Sequence, residues 1–202
     1  NGSAHILAVD LVNAEGELIR ADETQNTDYL WAARGAGSGY FGVVTRMKMR
    51  VNVLPPVMKL SAYGYTADVL EELFTWAREI VPKIPPYLEL VIISTAHDAK
   101  TGLPSPVRFT VAALAICETH AMADEALAIL ETCPVVSKAT FKRGGVDTDL
   151  EQRYASGYAA DPKGYRFAVD NMYTNAPAAE LVPKLRKLFT ELPSPRSHVF
   201  WL

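Results

Sequence analysis

Residues 35–42, GAGSGYFG, contain four glycines and are the first candidate for a binding site. Gly37, Gly39 and Gly42 satisfy the pattern G-x-G-x-x-G, which holds the pyrophosphate of a dinucleotide in Rossmann folds. That function requires a strand before the glycines and a helix after them, because the N-terminus of the helix faces the phosphate. The flanking residues predict the opposite order, and we therefore reject a Rossmann site.

The glycines join a predicted helix to a predicted strand. Residues 26–34 predict a short helix, with Asn26 or Thr27 as its N-cap and Gly35 able to end it in a left-handed conformation. Residues 43–53 begin with β-branched side chains and alternate with a period of two, which is typical of a strand. The glycines are then either a tight connection between packed elements or a loop whose bare amides approach a cofactor. Composition leaves both open.

The composition of the chain excludes several classes of protein. Its 202 residues are 49% hydrophobic, which is enough for one large or two small domains. Twenty basic against 23 acidic residues and the lack of a basic run argue against nucleic acid as a partner. Cys117 and Cys133 make neither a disulfide framework nor a metal site, and we expect both in the core. No apolar run is long enough to span a bilayer and no signal peptide is recognisable, so we expect a soluble protein away from membranes.

Two prolines at 55 and 56 divide the predicted elements into two parts. The first part begins with a hairpin of strands 6–12 and 17–21, with Gly16 at positive φ in its turn. The second part alternates strands with amphipathic helices. Its strands are predicted at 57–65, 87–96, 107–117, near 137–142, at 165–174 and from 197, and its helices at 67–81 (with Thr66 as N-cap), 122–132 and 179–192.

This order of elements predicts an α+β fold, with a mostly antiparallel sheet covered on one face by helices. Residues 143–164 are polar and rich in Gly and Tyr, and we predict a loop there, either an ordinary loop or one that faces the substrate. The chain starts within five residues of a strand and stops in the apolar run 199–202, so we predict an internal piece of a larger protein.

A series of short motifs occupies the first quarter of the chain. They are Ala8-Val9-Asp10-Leu11-Val12, Gly16-Glu17, Tyr29-Leu30-Trp31-Ala32, Arg34-Gly35, Gly39 and Phe41-Gly42-Val43-Val44-Thr45. In order and spacing they resemble the end of the FAD-binding domain in the vanillyl-alcohol oxidase superfamily, closest to the berberine-bridge-enzyme-like FAD-linked oxidases. The remaining three quarters match only in general form, as the substrate domain of such proteins.

The resemblance implies that residues 1–54 are the C-terminal part of an FAD-binding domain and residues 57–202 a substrate-binding domain truncated at its C-terminus. It implies an oxidase in which N5 of the flavin takes a hydride from a small-molecule substrate and oxygen usually reoxidises the flavin. It also implies which residues lie beside the FAD, several of them through backbone atoms. They are Asp10, Val12, Gly35, Gly37, Gly39, Phe41, Gly42 and Val43.

The chain lacks other parts of the family pattern. The pyrophosphate-binding glycines, the histidine or cysteine that often bonds covalently to the flavin, and the C-terminal segment that often supplies a tyrosine base have no counterpart here. The four histidines lie in no attachment motif, and we expect them to be surface or hydrogen-bonded residues. They are His5, His97, His120 and His198. We therefore expect the missing N- and C-terminal segments to be partners of this chain, which by itself should not hold FAD tightly.

Oxidation of an alcohol carbon needs a base for the hydroxyl proton. Asp170 and Tyr173 lie in the predicted strand 165–174, where a carboxylate is costly unless it is paired or functional. Arg166, four residues from Asp170 on the same face, would pair with it and make both structural. The other strand tyrosines, each either a base or a packed aromatic, are Tyr63, Tyr65 and Tyr165.

Two functions of different classes remain. The first is an FAD-dependent oxidase or dehydrogenase of small alcohols, sugars or a natural-product intermediate. The second is a flavin-free module that binds a ligand or a partner. Phosphate-binding glycines and a flavin-linking histidine in the rest of the protein would distinguish the first from the second.

Overall fold

The structure, a computed structural model, describes residues 2–95, 105, 108–160, 163–164, 166 and 168–202. The chain divides into two compact units, Asn1–Leu54 and Pro55–Leu202. The predicted loop 97–106 lies outside the described residues, apart from Ser105.

The first unit is a three-stranded antiparallel sheet with one helix. The strands are β1 (Ile6–Val12), β2 (Leu18–Ala21) and β3 (Val43–Met49), and they lie in the order β2-β1-β3. Helix α1 (Thr27–Ala33) packs on β1 through a small core of Ile6, Val9, Leu11, Ala21 and Leu30. The strand predicted over 43–53 ends at Met49, and residues 50–56 form no regular element.

The turn between β1 and β2 has the predicted chemistry. Gly16 has φ +80°, and the side-chain oxygen of Asn13 accepts hydrogen bonds from the amides of Glu15 and Glu17. These bonds satisfy the amides of the turn, and the glycine takes the conformation that other residues avoid.

Helix α1 differs from prediction at both ends. Asn26 is the N-cap residue at φ +49°, but its side-chain amide donates to the carbonyl oxygen of Arg20 at 2.7 Å instead of accepting from the helix. Gly35 is not left-handed; the C-cap is Arg34, and the positive φ falls on Gly37. The prediction for Gly35 was wrong because the chain turns two residues later, after the amides of Gly35 and Ala36 have both bonded to Ala32.

The second unit is a five-stranded sheet in which every neighbouring pair is antiparallel. Its strands lie in the order β7-β4-β6-β5-β8, and its helices are α2 to α5. The strands are β4 (Val57–Tyr65), β5 (Leu88–Thr95), β6 (Phe109–Cys117), β7 (Phe141–Asp147) and β8 (His198–Trp201). The helices are α2 (Leu70–Ile80), α3 (His120–Leu127), α4 (Leu150–Ala160) and α5 (Ala178–Thr190).

One face of this sheet is buried under helices, as the alternation in the sequence predicts. Alternate residues of β6, from Phe109 to Cys117, are buried, and the residues between them are half-exposed. Phe74 of α2 and Phe189 of α5 pack on Phe109, with ring centroids 5.7 and 6.5 Å away. The covered face and its helices therefore form the core of the unit, which confirms the α+β class.

Three predictions for the second unit were wrong. The segment 143–164, predicted as loop, contributes residues 143–147 to β7 and residues 150–160 to α4, and the strand predicted near 137–142 begins only at Phe141. The described residues 166 and 168–174, predicted as strand, are exposed and lie in no regular element, and residues 92–95 of β5 already pair with β8. A strand needs a partner for its ladder, and a local sequence pattern does not supply one.

The start of α2 also differs from prediction. The residues 67–69 form a 3-10 turn, and Val69 is the N-cap residue of α2. Thr66 instead hydrogen-bonds the carboxyl group of Asp68. The helix ends at Ile80, one residue before the predicted end at 81, and Pro82 follows two residues later.

Candidate functional site

The glycine loop exposes bare backbone. Gly37–Gly39 form a single 3-10 turn between α1 and β3, with Gly37 at φ +54°. A Cβ atom added at Gly35, Gly37 or Gly39 would meet nothing within 4 Å. A planar ligand could therefore approach this backbone more closely than any side chain would allow.

Gly42 lies at the end of the loop, and this position requires a glycine for a different reason. A Cβ atom there would overlap Cδ1 of Leu11 and would come within 3.3 Å of the carbonyl oxygen of Val12. The φ angle of Gly42 lies outside the left-handed region, so the close approach to β1, not backbone strain, requires a glycine.

Aromatic side chains surround the exit of the loop. Phe41 stacks on Tyr40, with ring centroids 5.3 Å apart, and meets the edge of Tyr29 at 5.0 Å. The hydroxyl of Tyr40 donates to the carbonyl oxygen of Tyr29, and burial raises its pKa. Tyr40 is therefore a structural residue, whereas the ring of Phe41 is 54% exposed and available to a ligand.

The predicted cofactor residues Asp10, Val12 and Val43 share one face of the first sheet. Val12 is directly opposite Val43 in the ladder, and Asp10 is opposite Arg46. The carboxylate of Asp10 lies 3.2 Å from Arg20 and 3.8 Å from Arg46. The side chain of Asp10 is thus occupied by two cations on its own sheet, so a ligand would meet this strand through its backbone.

Arg34 positions the glycine loop, a role that sequence reasoning missed. Its Nε and Nη2 atoms donate to the carbonyl oxygen of Ile6 at 3.0 and 2.7 Å, and Nη2 also reaches Glu23 at 3.3 Å. The guanidinium therefore ties the end of α1 to the start of β1. The adjacent pair Arg34-Gly35 was visible as a motif, but the distant acceptor was not.

The second unit offers a surface of another kind on the open face of its sheet. The strand registers place Glu89, Leu114, Leu60 and Val146 in one row across the sheet. The next row is Val91, Ala112, Ala62 and Arg143, and the third is Ile93, Thr110, Gly64 and Phe141. We call the aliphatic side chains at the centre of these rows the aliphatic floor. It consists of Leu60, Ala62, Val91, Ile93, Ala112 and Leu114, all half-exposed.

The structure does not place the predicted catalytic residues in a shaped site. Tyr173 is 95% exposed, and the carboxylate of Asp170 accepts a hydrogen bond from the amide of Asn171 at 2.8 Å. Among the described residues no ion pair joins Asp170 to Arg166. Tyr165 lies outside the described residues. The catalytic role of Asp170 and Tyr173 stays a prediction, without the strand on which it was based.

Tyr63 and Tyr65 lie on the covered face of the sheet. The hydroxyl of Tyr63 donates to Glu131, which Lys142 also contacts at 2.9 Å. Burial and this hydrogen bond raise the pKa of Tyr63 to about 12, and burial raises that of Tyr65 further. Neither phenol is suited to act as a base near neutral pH.

The histidines and cysteines have structural surroundings in the described part of the chain. His5 lies 3.4 Å from Asn52, and His120 lies 3.6 Å from Asp147. Both cysteines are buried, as predicted, and burial raises the pKa of Cys133. Within residues 2–95, 105, 108–160 and the described positions beyond them, no cluster of three or more His, Cys, Asp or Glu could hold a metal ion. His97 lies outside the described residues.

Comparison with known proteins finds relatives that are named FAD-linked oxidoreductases. The FAD-linked oxidoreductase janO of Penicillium janthinellum is 31% identical over 195 residues, which are 94% of this chain and 41% of that protein. The chain is similar to FAD-linked oxidoreductases over nearly its whole length. The FAD-linked oxidoreductase nodO of Hypoxylon pulicicidum is 28% identical over 202 residues, covering 98% of this chain and 43% of nodO. The chain thus spans about two fifths of the length of these relatives. No protein-family model matches it.

Solved structures show the same fold. A glucooligosaccharide oxidase of Acremonium strictum aligns with a TM-score of 0.61 at 16% identity, over 79% of this chain and 31% of that one. The xylooligosaccharide oxidase from Myceliophthora thermophila aligns with a TM-score of 0.58 at 19% identity, over the same shares. Along the described residues, no helix has the length and apolar character that crossing a membrane requires.

Proposed function

We propose that this chain is part of an FAD-dependent oxidoreductase. Residues 1–54 supply the end of its flavin-binding domain, and residues 57–202 supply much of its substrate-binding domain. The observation that carries the proposal is the match to FAD-linked oxidoreductases along 94–98% of the chain. The division of the chain between Leu54 and Pro55 supports the two-domain assignment.

The residues present in the first unit fit a flavin. The open Cβ positions at Gly35, Gly37 and Gly39 leave a bare backbone, and the exposed ring of Phe41 offers an apolar contact beside it. Arg34 and Gly42 hold this loop against β1. Backbone atoms of residues 10–12 and 35–43 would hold the cofactor, because the side chains of Asp10 and Tyr40 already have partners.

The bound flavin would supply the acceptor for a hydride from a substrate carbon. The task of this chain is then to hold the substrate and to exclude water, with the aliphatic floor of the second unit as the substrate surface. The base for the substrate hydroxyl is Asp170 or Tyr173 in our proposal, and both side chains are exposed in this structure. The substrate is an alcohol, a sugar or a natural-product intermediate, and oxygen reoxidises the flavin.

The absorption spectrum of the full-length protein tests the proposal. We expect flavin bands, and bands that remain with the protein after acid precipitation would establish a covalent flavin. A full-length protein without flavin, which also fails to bind added FAD, would contradict the proposal. That result would favour a flavin-free binding module.

A further inference from the structure

The strand pair β1–β3, which lies beside the glycine loop, contains a β-bulge. Asp10 lies opposite Arg46, but the next residue of β1, Leu11, lies opposite Val44. Thr45 is therefore an extra residue of β3 in this ladder. On the other side of β1, the ladder with β2 keeps a single register throughout. The irregularity thus belongs to β3, the strand that directly follows the glycine loop.

The bulge decides which residues meet where the glycine loop ends. In a ladder without the extra residue, Val12 would lie opposite Val44. With the bulge Val12 lies opposite Val43, and Gly42 passes so close to β1 that an added Cβ atom would come within 3.3 Å of the carbonyl oxygen of Val12. A shift of one residue also exchanges the faces of the sheet on which the side chains lie. The bulge therefore sets how the backbone of residues 42–43 is placed against that of β1.

The side chain of Thr45 bridges the two strands at the bulge. Its hydroxyl donates to the carbonyl oxygen of Asp10 at 3.1 Å. A bulge interrupts the backbone ladder, and this bond joins β3 to β1 at the interruption. At the other end of the glycine loop, Arg34 donates to the carbonyl oxygen of Ile6, which also belongs to β1. Both ends of the loop are thus tied to β1 by a side chain that bonds to a strand carbonyl.

We infer that Thr45 is a positioning residue for the flavin, because its hydroxyl holds the bulge that aligns the backbone of residues 42–43 with that of residues 10–12. The inference rests on the proposed function, in which these two backbone segments hold the cofactor. A binding site has to be kept within roughly 0.5 Å of its working geometry, so a change in the spacing of the two segments weakens contacts with a rigid ring system. Thr45 is exposed, and the loss of an exposed hydrogen bond changes the stability of a fold little. Removal of the hydroxyl should therefore affect the cofactor more than the fold.

The test replaces Thr45 in the full-length protein. Thr45→Val keeps the β-branched shape without the donor, and Thr45→Ser keeps the donor. Thr140→Val is the matched control, because the hydroxyl of Thr140 also donates to a strand carbonyl, that of Gly64 in the second unit, at 3.0 Å. FAD is titrated into each FAD-free protein and its binding is followed by flavin fluorescence. The visible circular dichroism of the bound flavin reports the placement of its ring, and the melting temperature reports the fold.

We expect Thr45→Val to raise the dissociation constant of FAD about fivefold, which corresponds to the loss of one hydrogen bond. The visible circular dichroism of its bound flavin should change, while its melting temperature falls no further than that of Thr140→Val. Thr45→Ser and Thr140→Val should bind FAD as the unmodified protein does.

Three results would overturn the inference and leave the proposed function standing. They are equal affinities of Thr45→Val and the unmodified protein for FAD, an equal loss of affinity in Thr45→Ser and Thr45→Val, and a melting temperature of Thr45→Val well below that of Thr140→Val. The last result would show that Thr45 only stabilises the fold. An unmodified full-length protein that takes up no FAD would overturn the proposed function, and the inference with it.

Discussion

Gly42 lies where the glycine loop passes against β1, and a side chain there has no room. In Gly42→Ala the new Cβ atom would overlap Leu11, which is fully buried and has to move. We expect the substitution to lower the free energy of unfolding of the first unit by about 1–3 kcal/mol, the usual cost of overpacking. Hydrogen exchange of the β1 amides measures this loss.

Gly39→Ala is the matched control, because the space around its Cβ position is open and its φ angle is not left-handed. We expect Gly39→Ala to change stability by less than about 0.5 kcal/mol. In the full-length protein Gly42→Val and Gly39→Val should both lower the flavin content sharply if the loop lies on the cofactor. Full flavin content in both variants would contradict the assignment of the loop to FAD.

We expect the ionisation of Tyr63 to lower the stability of the folded protein at high pH. Its pKa is raised to about 12 in the folded protein by burial and by the hydrogen bond to Glu131, whereas an unfolded tyrosine ionises near pH 10. A raised pKa contributes stability that is fully present below the unfolded value and is lost as the pH rises through the folded value. We therefore expect the urea midpoint to fall between about pH 10 and 12.

Tyr63→Phe separates this residue from the other tyrosines. The variant lacks the titrating hydroxyl but keeps the buried ring, so its urea midpoint should fall less steeply over the same pH interval. Equal slopes for the two proteins would show that Tyr63 does not couple ionisation to folding.

At the scale of the elements, apolar packing and not the surface ion pair holds α5 on the sheet. Phe189 is almost fully buried, and its ring centroid lies 4.6 Å from that of Phe74 on α2. Arg186 of α5 also makes a two-oxygen ion pair with Glu71 of α2, but both side chains are about half exposed. Exposed pairs contribute about 0–1 kcal/mol because water screens the charges.

We therefore expect very different effects from two substitutions on these helices. Phe189→Ala should cost about 3–5 kcal/mol of unfolding free energy, since it leaves a cavity between α5 and the sheet. Glu71→Gln should cost less than about 1 kcal/mol. Urea unfolding followed by circular dichroism measures both, and a larger cost for Glu71→Gln than for Phe189→Ala would show that the ion pair dominates.

At the scale of the whole molecule, the chain spans about two fifths of the length of its FAD-linked relatives. In the proposed function the glycine loop and β1 would contact only part of an FAD molecule, and its other contacts would come from the remainder of the protein. We expect isothermal titration of this chain alone with FAD to show no binding in the micromolar range, whereas the full-length protein binds. Stoichiometric binding by the chain alone would contradict this prediction.

The sequence by itself was enough to predict the elements in which buried and exposed residues alternate regularly. Buried and exposed residues alternate in β5 and β6 because one face of each strand packs under helices. Neither Pro55 nor Pro56 lies in a strand, since neither residue can donate an amide hydrogen to a ladder. The motifs around residues 8–45 also indicated the resemblance to FAD-linked oxidases without any contact being known, and relatives named FAD-linked oxidoreductases match the chain. Each of these patterns involves residues that are close together along the chain, so the sequence alone is enough to detect them.

Only the tertiary structure decided which residues meet. Gly42 approaches Leu11 and Arg34 reaches Ile6 across about thirty positions of sequence, and neither contact leaves a local pattern. Helix α4 has no buried residue, so it lacks the apolar stripe by which a helix is recognised. A strand was predicted at 165–174, but the described residues 166 and 168–174 lie in no regular element. A strand forms only where a neighbouring backbone completes its hydrogen bonds, and the pairing of β5 with β8 is decided by the whole fold.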